Sequence, residues 1–403
     1  MDFPFAGVTP NELSFAARDE RYRRLHEWGE PSYLHPSGLR MIWKYDDVRT
    51  VLEAVLRGVS TANSLDPLVG YSRIATTASA IPPFLRHLLP PPAKATANLT
   101  DLGLHKRVRD TMSGADGHFT IPAGQRHARE AAMSAHFHAA LDELDPGAEL
   151  DVTALSIAYA ARVTGEAVGL PPQSWPNVAI WSSAQSGLLG RRMHGRELGA
   201  AVDALGWLFT ISARTVAHGS GFARRLREAE LPRRVAISAM ANSLAAGVHT
   251  VSGTIQQGLQ RLLSAPDRAW WSLLADPHQA GSVAIKLMHL DPGLVAWKRR
   301  ADEAITLPSG TTLPPGPILA LFAAANRDTA AFPDLWNLHG KGKLPLTFGI
   351  GRHVCPGKQL ATLAIAVFLR ELHAQIPHAE LIPTIGRRRP DLLFSGADIA
   401  ITT

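Results

Sequence analysis

One cysteine in 403 residues excludes an internal disulfide and any multi-thiolate metal cluster. Cys355 is left with three uses: buried padding, a nucleophile, or a single thiolate ligand to a metal cofactor. Charge is sparse too, at 19% of residues against 46% hydrophobic, which excludes a disordered polyelectrolyte and describes a globular chain with a large core. No apolar run reaches the length that spans a bilayer. The start, Met1-Asp-Phe-Pro-Phe-Ala-Gly7, has neither the basic nor the apolar segment of a signal peptide, so a cytoplasmic, reducing setting is expected. The net charge of +6 is scattered and no nucleic-acid motif accompanies it. A solvated surface, or docking of an acidic partner, accounts for it.

The surroundings of the cysteine favour the ligand reading. In Phe348-Gly-Ile-Gly-Arg-His-Val-Cys355-Pro-Gly357, Gly349, Gly351 and Gly357 let backbone approach something flat, and Phe348 can shield a sulfur from water. The residues after Gly357 repeat apolar side chains at helical spacing, which places Cys355 just ahead of a core helix. Amides at that helix start lower a thiolate's energy.

Along the chain, residues 13–60 read as helix, strand and helix, and the Pro-rich stretch 64–100 as a long irregular segment. Helices follow at 124–144, 150–168, 175–188, 196–216 and 234–263, and extended segments return in 304–322 and 378–403. No repeat or flexible linker appears. The expectation is mainly α with a small β part, in a single domain over 1–403 whose strands use both chain ends.

The cysteine segment, Phe-x-x-Gly-x-x-x-Cys-x-Gly with His353 two before the cysteine, resembles the haem-binding loop of the cytochrome P450 family. Leu104-His105-Lys-Arg107-Val-Arg109 resembles the family's His-x-x-x-Arg pair, with both side chains on one helix face. Arg299 after Trp297 matches its propionate arginine. Ala245-Ala246-Gly247-Val248-His249-Thr250 resembles the family's oxygen-activating helix segment, and Ala324-Ala-Asn326-Arg327-Asp328 through Pro333-Asp334 resembles the approach to its meander. The resemblance is strongest over 281–372 and loose over 120–230.

It implies the prism-shaped cytochrome P450 fold with haem b held by Cys355, and His105, Arg109, Arg299 and His353 at the propionates. Gly247 would let cofactor and dioxygen come close to Ala246, with Thr250 donating a hydrogen bond beside them. An oxygen-dependent monooxygenase follows, drawing electrons from NAD(P)H through a ferredoxin and its reductase, with Lys358 among the residues that dock the partner. A monomer is expected. The Ala-, Arg-, Leu- and Pro-rich composition points to a bacterium, and for a monooxygenase of the family it resembles, tailoring of a natural product is the expected role. The substrate expected of such an enzyme is a small to mid-sized organic molecule, and the apolar bias of 64–100, of residues near 171–195, of Ala246 and of Leu294 to Trp297 suggests that it is uncharged or largely apolar.

Two departures stand out. The family's Glu-x-x-Arg pair and its meander arginine are replaced by Lys286, His289 and Asn337, so neutral His289 is expected to bond Asn337, with Lys286 turned outward or paired with an Asp. His249 stands where the family places an acid. A histidine there can relay protons, point away, or serve peroxide as oxidant. Peroxide-driven oxidation, or coupling, cyclisation or rearrangement, is therefore an alternative chemistry. A non-catalytic partner protein is a third reading.

Overall fold

The computed structural model describes residues 2–53, 58–87, 101–144, 147–265, 268–382 and 390–403. Helices α1 (Phe15–Glu27) and α2 (Tyr45–Glu53) flank β1 (Tyr33–Leu34) and β2 (Arg40–Ile42), and β3 (Val59–Ser60) follows. Ser14 caps α1 by accepting the Ala17 amide. Within the stretch expected to be irregular lie α3 (Tyr71–Thr76) and α4 (Ile81–His87). Pro82 and Pro83 are tolerated because they occupy the first turn of α4, where their missing amides would have no partner. Residues 88–100 of that stretch lie outside the described residues.

The helical body comprises α5 (Leu102–Met112), α6 (Arg126–Leu144), α7 (Val152–Val168), α8 (Trp175–Gly190), α9 (Gly195–His218), α10 (Phe222–Glu228) and α11 (Arg233–Ser264). After it come α12 (Ala269–Ser272), α13 (Ala280–Leu290), α14 (Phe322–Ala325) and α15 (Lys358–Gln375). Asp101 caps α5, and Asp151 caps α7 directly after β4 (Glu149–Asp151), a strand that the sequence reading merged into the helix. Gly169 ends α7 at φ 79°, in the left-handed conformation that glycine adopts without strain.

With 59% helix and short strands, the chain is mainly α with a small β part. The longest helix, α11, packs on α7, α8, α9 and α15, and its buried residues help to form the main apolar core. By length and composition alone α11 could cross a membrane, contrary to the sequence reading. Ser, Thr and Gln break any continuous apolar run, yet the mean hydropathy stays high. Most of its apolar window is buried within the protein.

Strands β5 (Trp297–Ala301), β6 (Ile305–Thr306), β7 (Thr312–Leu313) and β8 (Gly316–Ala320) lie between α13 and α14, and β9 (Leu381–Ile382) and β10 (Ala400–Thr402) lie near the end. The main sheet runs β1-β2-β8-β5-β3, with β2 and β8 parallel, and β6 pairs with β7. A separate sheet runs β4-β10-β9. Both chain ends supply strands, as the sequence suggests, but to different sheets: the N-terminal strands join 297–320, and the C-terminal strand lies between β4 and β9.

Candidate functional site

The loop ahead of α15 is shaped by its backbone. Gly349 and Gly351 have φ of 66° and 67°, where a side chain would be strained. The Cys355 amide donates to the Phe348 carbonyl at 2.7 Å and closes the loop. Gly357, at φ −86°, is ordinary in conformation, and a Cβ there would sit 3.9 Å from Cys355 Sγ. Turn geometry thus explains Gly349 and Gly351. Phe348 lies 5.8 Å beneath the Lys358 ammonium. Burial pushes the Cys355 thiol up, opposed by the Gly357 amide and by Arg109 and Lys358. The amide at the helix start does lower the thiolate's energy, as expected, but burial outweighs it.

Around this loop the fold collects cations. α5 places His105 and Arg109 one turn apart, β5 supplies Arg299, and the loop supplies His353 and Arg352. The rings of His105 and His353 meet edge-on at 4.6 Å. Burial, then Arg299, His105, Arg352 and Arg109, pushes His353 down to about 3. Burial pushes Arg299 down to about 10 with no opposing anion, and also lowers His105 and Arg109. Among the described residues none of the five forms an ion pair, and His105 Nε2 and Arg299 Nε are buried without a hydrogen-bond partner. Buried charge and buried donors left so are costly. A cavity of about 320 Å³ opens here, lined by Leu102, His105, Lys106, Arg109 and Arg352. Sequence reasoning brought four of the five together. It missed Arg352, whose only signal was its charge beside His353.

On α11, Ala246 is exposed although its neighbour Ala245 is buried, so this core helix has an open side. The Thr250 hydroxyl donates to the Ala246 carbonyl at 2.6 Å, which leaves its lone pairs as acceptors. Gly247 does not face that opening. A Cβ on it would lie 2.4 Å from Thr164 Oγ1 of α7, so the glycine serves helix–helix packing and the expected role beside the cofactor is corrected. The His249 ring lies 6.3 Å from Phe394.

The altered Glu-x-x-Arg positions also differ from expectation. His289 Nε2 pairs with the Asn326 carbonyl oxygen at 2.8 Å, while Asn326 Nδ2 returns a bond to the His289 carbonyl at 3.1 Å. Asn337 instead donates to Asp334 at 2.9 Å. The expected His289–Asn337 bond is absent, because Asn326 sits closer at the end of α14 and satisfies the ring first. Lys286 is buried rather than turned outward; burial lowers it and Asp334 opposes. The ionic cluster lies elsewhere. Arg18 reaches Asp291 at 2.7 Å, Arg261 reaches Asp19 at 2.9 Å and also Asp291, and Arg327 bridges both acids at 2.8 and 3.2 Å.

No family model matches the chain. Cytochrome P450 144 of Mycobacterium tuberculosis is 30% identical over 223 residues, 52% of this chain and 51% of that protein. The 20-oxo-5-O-mycaminosyltylactone 23-monooxygenase of Streptomyces fradiae is 29% identical over 136 residues, 33% of this chain and 32% of that protein. The chain thus spans about half the length, or less, of these curated relatives. The heme domain of a Tepidiphilus thermophilus P450 superposes with a TM-score of 0.84 at 17% identity, covering 98% of this chain and 96% of that one. The fold is that of cytochrome P450 structures, and the curated relatives matched over part of the chain are cytochromes P450.

A cytochrome P450 fold implies a haem held by a cysteine thiolate. The residues present fit that group. Five cationic or donor side chains without an acid match two propionates, and the lone thiol of Cys355 stands beside them.

Proposed function

We propose that this protein is a haem-thiolate monooxygenase acting through haem b bound by Cys355, with residues 1–403 working as one domain. The observation that carries the reading is the acid-free cluster of His105, Arg109, Arg299, Arg352 and His353 around the cysteine loop. A dianionic group completes it and an empty scaffold does not, which argues against a non-catalytic partner. Haem supplies oxygen activation when bound. The protein's own residues hold its carboxylates, keep the thiolate in a loop fixed by the Phe348–Cys355 bond, and move protons on the α11 side.

There Thr250 offers acceptor lone pairs beside the open face of Ala246, and His249 exchanges the proton. Exposed Lys106, Arg352 and Lys358 surround the cysteine loop and suit an acidic electron donor such as a ferredoxin. The named activity of the Streptomyces relative supports tailoring of a mid-sized natural product. His249 in the acid's place favours a second reading, in which peroxide is the oxidant.

The reduced, haem-loaded protein is expected to give the carbon-monoxide band of a thiolate haem, lost in Cys355→Ser. Turnover of a substrate found by spin-shift screening is then compared with NAD(P)H, ferredoxin and reductase against hydrogen peroxide. Product only with peroxide overturns the monooxygenase reading, and no band at all overturns both. His249→Asp and His249→Ala are expected to change coupling of oxygen use to product; unchanged coupling in both removes His249 from the path.

A further inference from the structure

α11 lacks a carboxylate next to Thr250, but the fold brings one in from the C-terminal segment. A polar cavity of about 260 Å³ opens beside His249, among α7, α8, α11 and residues 391–398. Arg191, Gln256, Asp391 and Asp398 share its wall with His249 and Phe394. A cavity of that size and polarity has room and partners for water.

Asp391 is held there by construction. One of its oxygens, Oδ1, accepts the amides of Leu393 and Phe394, both at 2.8 Å. The Leu392 amide donates to the Gly190 carbonyl at 2.9 Å, at the end of α8. A Cβ on Gly190 would lie 2.1 Å from Asp391 Oδ1, so only a glycine admits the carboxyl. The same segment is pressed onto α11, where a Cβ on Gly253 would lie 2.3 Å from the Ser395 carbonyl oxygen. Phe394, whose amide Asp391 binds, puts its ring 6.3 Å from that of His249.

The charged groups that face Asp391 are Arg191 after α8 and Lys298 on β5, with Asp398 on its own segment and His249 on α11 lining the same cavity. Burial outweighs both cations and the two amides and pushes Asp391 up to about 7. Lys298 donates to the Leu189 carbonyl at 3.1 Å and is itself pushed down to about 8 by burial. Burial thus favours the protonated form of Asp391, while Asp398, which lines the same cavity, is exposed.

Resting on the monooxygenase reading, we propose that Asp391 replaces the acid missing from α11 and feeds protons through His249 to the Thr250 side of that helix. Each proton that His249 passes on is replaced by one from Asp391, which recovers it from solvent past Asp398. No electron moves along this route. Asp391 acts through His249, as a positioned proton donor to it.

The test uses the full chain loaded with haem, and Asp391→Asn, which keeps Oδ1 for the two amides. Infrared titration of the wild type is expected to show a protonated carboxyl band that disappears around neutral pH and is missing in D391N. In coupled turnover D391N is expected to fall about tenfold or more, with oxygen diverted to hydrogen peroxide and a larger solvent deuterium effect, as loss of a proton donor requires. Asp391→Glu restores both in part. A band that titrates in the ordinary carboxylate range, or a D391N protein with unchanged coupling and isotope effect, overturns the relay alone. A wild type without the thiolate carbon-monoxide band, or without oxygen-dependent product, overturns the monooxygenase reading first and the relay with it.

Discussion

His289 stands where an arginine would carry a permanent charge, and it is 93% buried by its 7% exposure. Burial, against the Asn326 carbonyl and with Lys286 and Arg327 nearby, pushes it down to about 4 from an ordinary 6.5. The folded value lies below the unfolded one, so the unfolded chain takes the proton first. Stability is full above pH 6.5 and is lost as pH falls toward 4. Between pH 7 and pH 5 this one group is expected to remove about 2 kcal/mol, and His289→Gln to flatten the slope by that amount. Denaturant midpoints of both proteins at the two pH values decide it; parallel slopes would mean that the histidine is not held neutral. The residue's identity was plain in the sequence. Its partner was not, because Asn326 is brought to it by α14 and not by proximity along the chain.

Along α11, three glycines mark three close approaches: Gly247 against Thr164, Gly253 against the Ser395 carbonyl, and Gly258 against Leu287 of α13. Each costs about 1 kcal/mol of helix propensity relative to alanine, so each needs a packing reason. Gly247→Ala gains that propensity but forces a Cβ to 2.4 Å from a β-branched side chain with little freedom to move. The net expectation is a loss of roughly 1–2 kcal/mol. Thr164→Ala in the same chain should recover most of it, as a positive coupling in a double-mutant cycle read by chemical denaturation. Simple additivity would show that the two helices relax apart. Helical spacing made α11 and α15 legible as elements. Which face each glycine presents depended on how the helices cross.

At the scale of the molecule, Asp291 with Arg18, Arg261, Arg327 and Asp19 ties α1, α11 and the end of α13 to the residues after α14. Tyr22 lies 4.8 Å from the Arg327 guanidinium, and Trp336 lies 5.3 Å from Arg261, which holds the meander where Asn337 supplies no charge. Burial alone would raise the Asp291 carboxyl; Arg261, Arg18 and Arg327 overcome it and hold the group well below the usual carboxylate range. That stability is present above the unfolded value of 3.8 and is lost as pH falls below it. Asp291→Asn leaves Arg261 and Arg327 to share Asp19 and takes from Arg18 its carboxylate partner, and a loss of about 3–5 kcal/mol is expected in thermal or denaturant unfolding. A loss under about 1 kcal/mol would show that the cluster is spectator to stability.

The sequence by itself determined the local chemistry: a lone thiol in a glycine-shaped loop, the helix behind it, His105 and Arg109 one turn apart, and the order in which Arg299 and His353 follow. Those features depend on residues a few positions apart, where backbone conformation and helical period decide. Tertiary structure alone decided how the lost Glu-x-x-Arg charges were replaced, that Gly247 faces a helix, and that Asp391 shares a cavity with His249. Buried charges and donors must find partners wherever the packed chain offers them, and that search runs across the whole molecule.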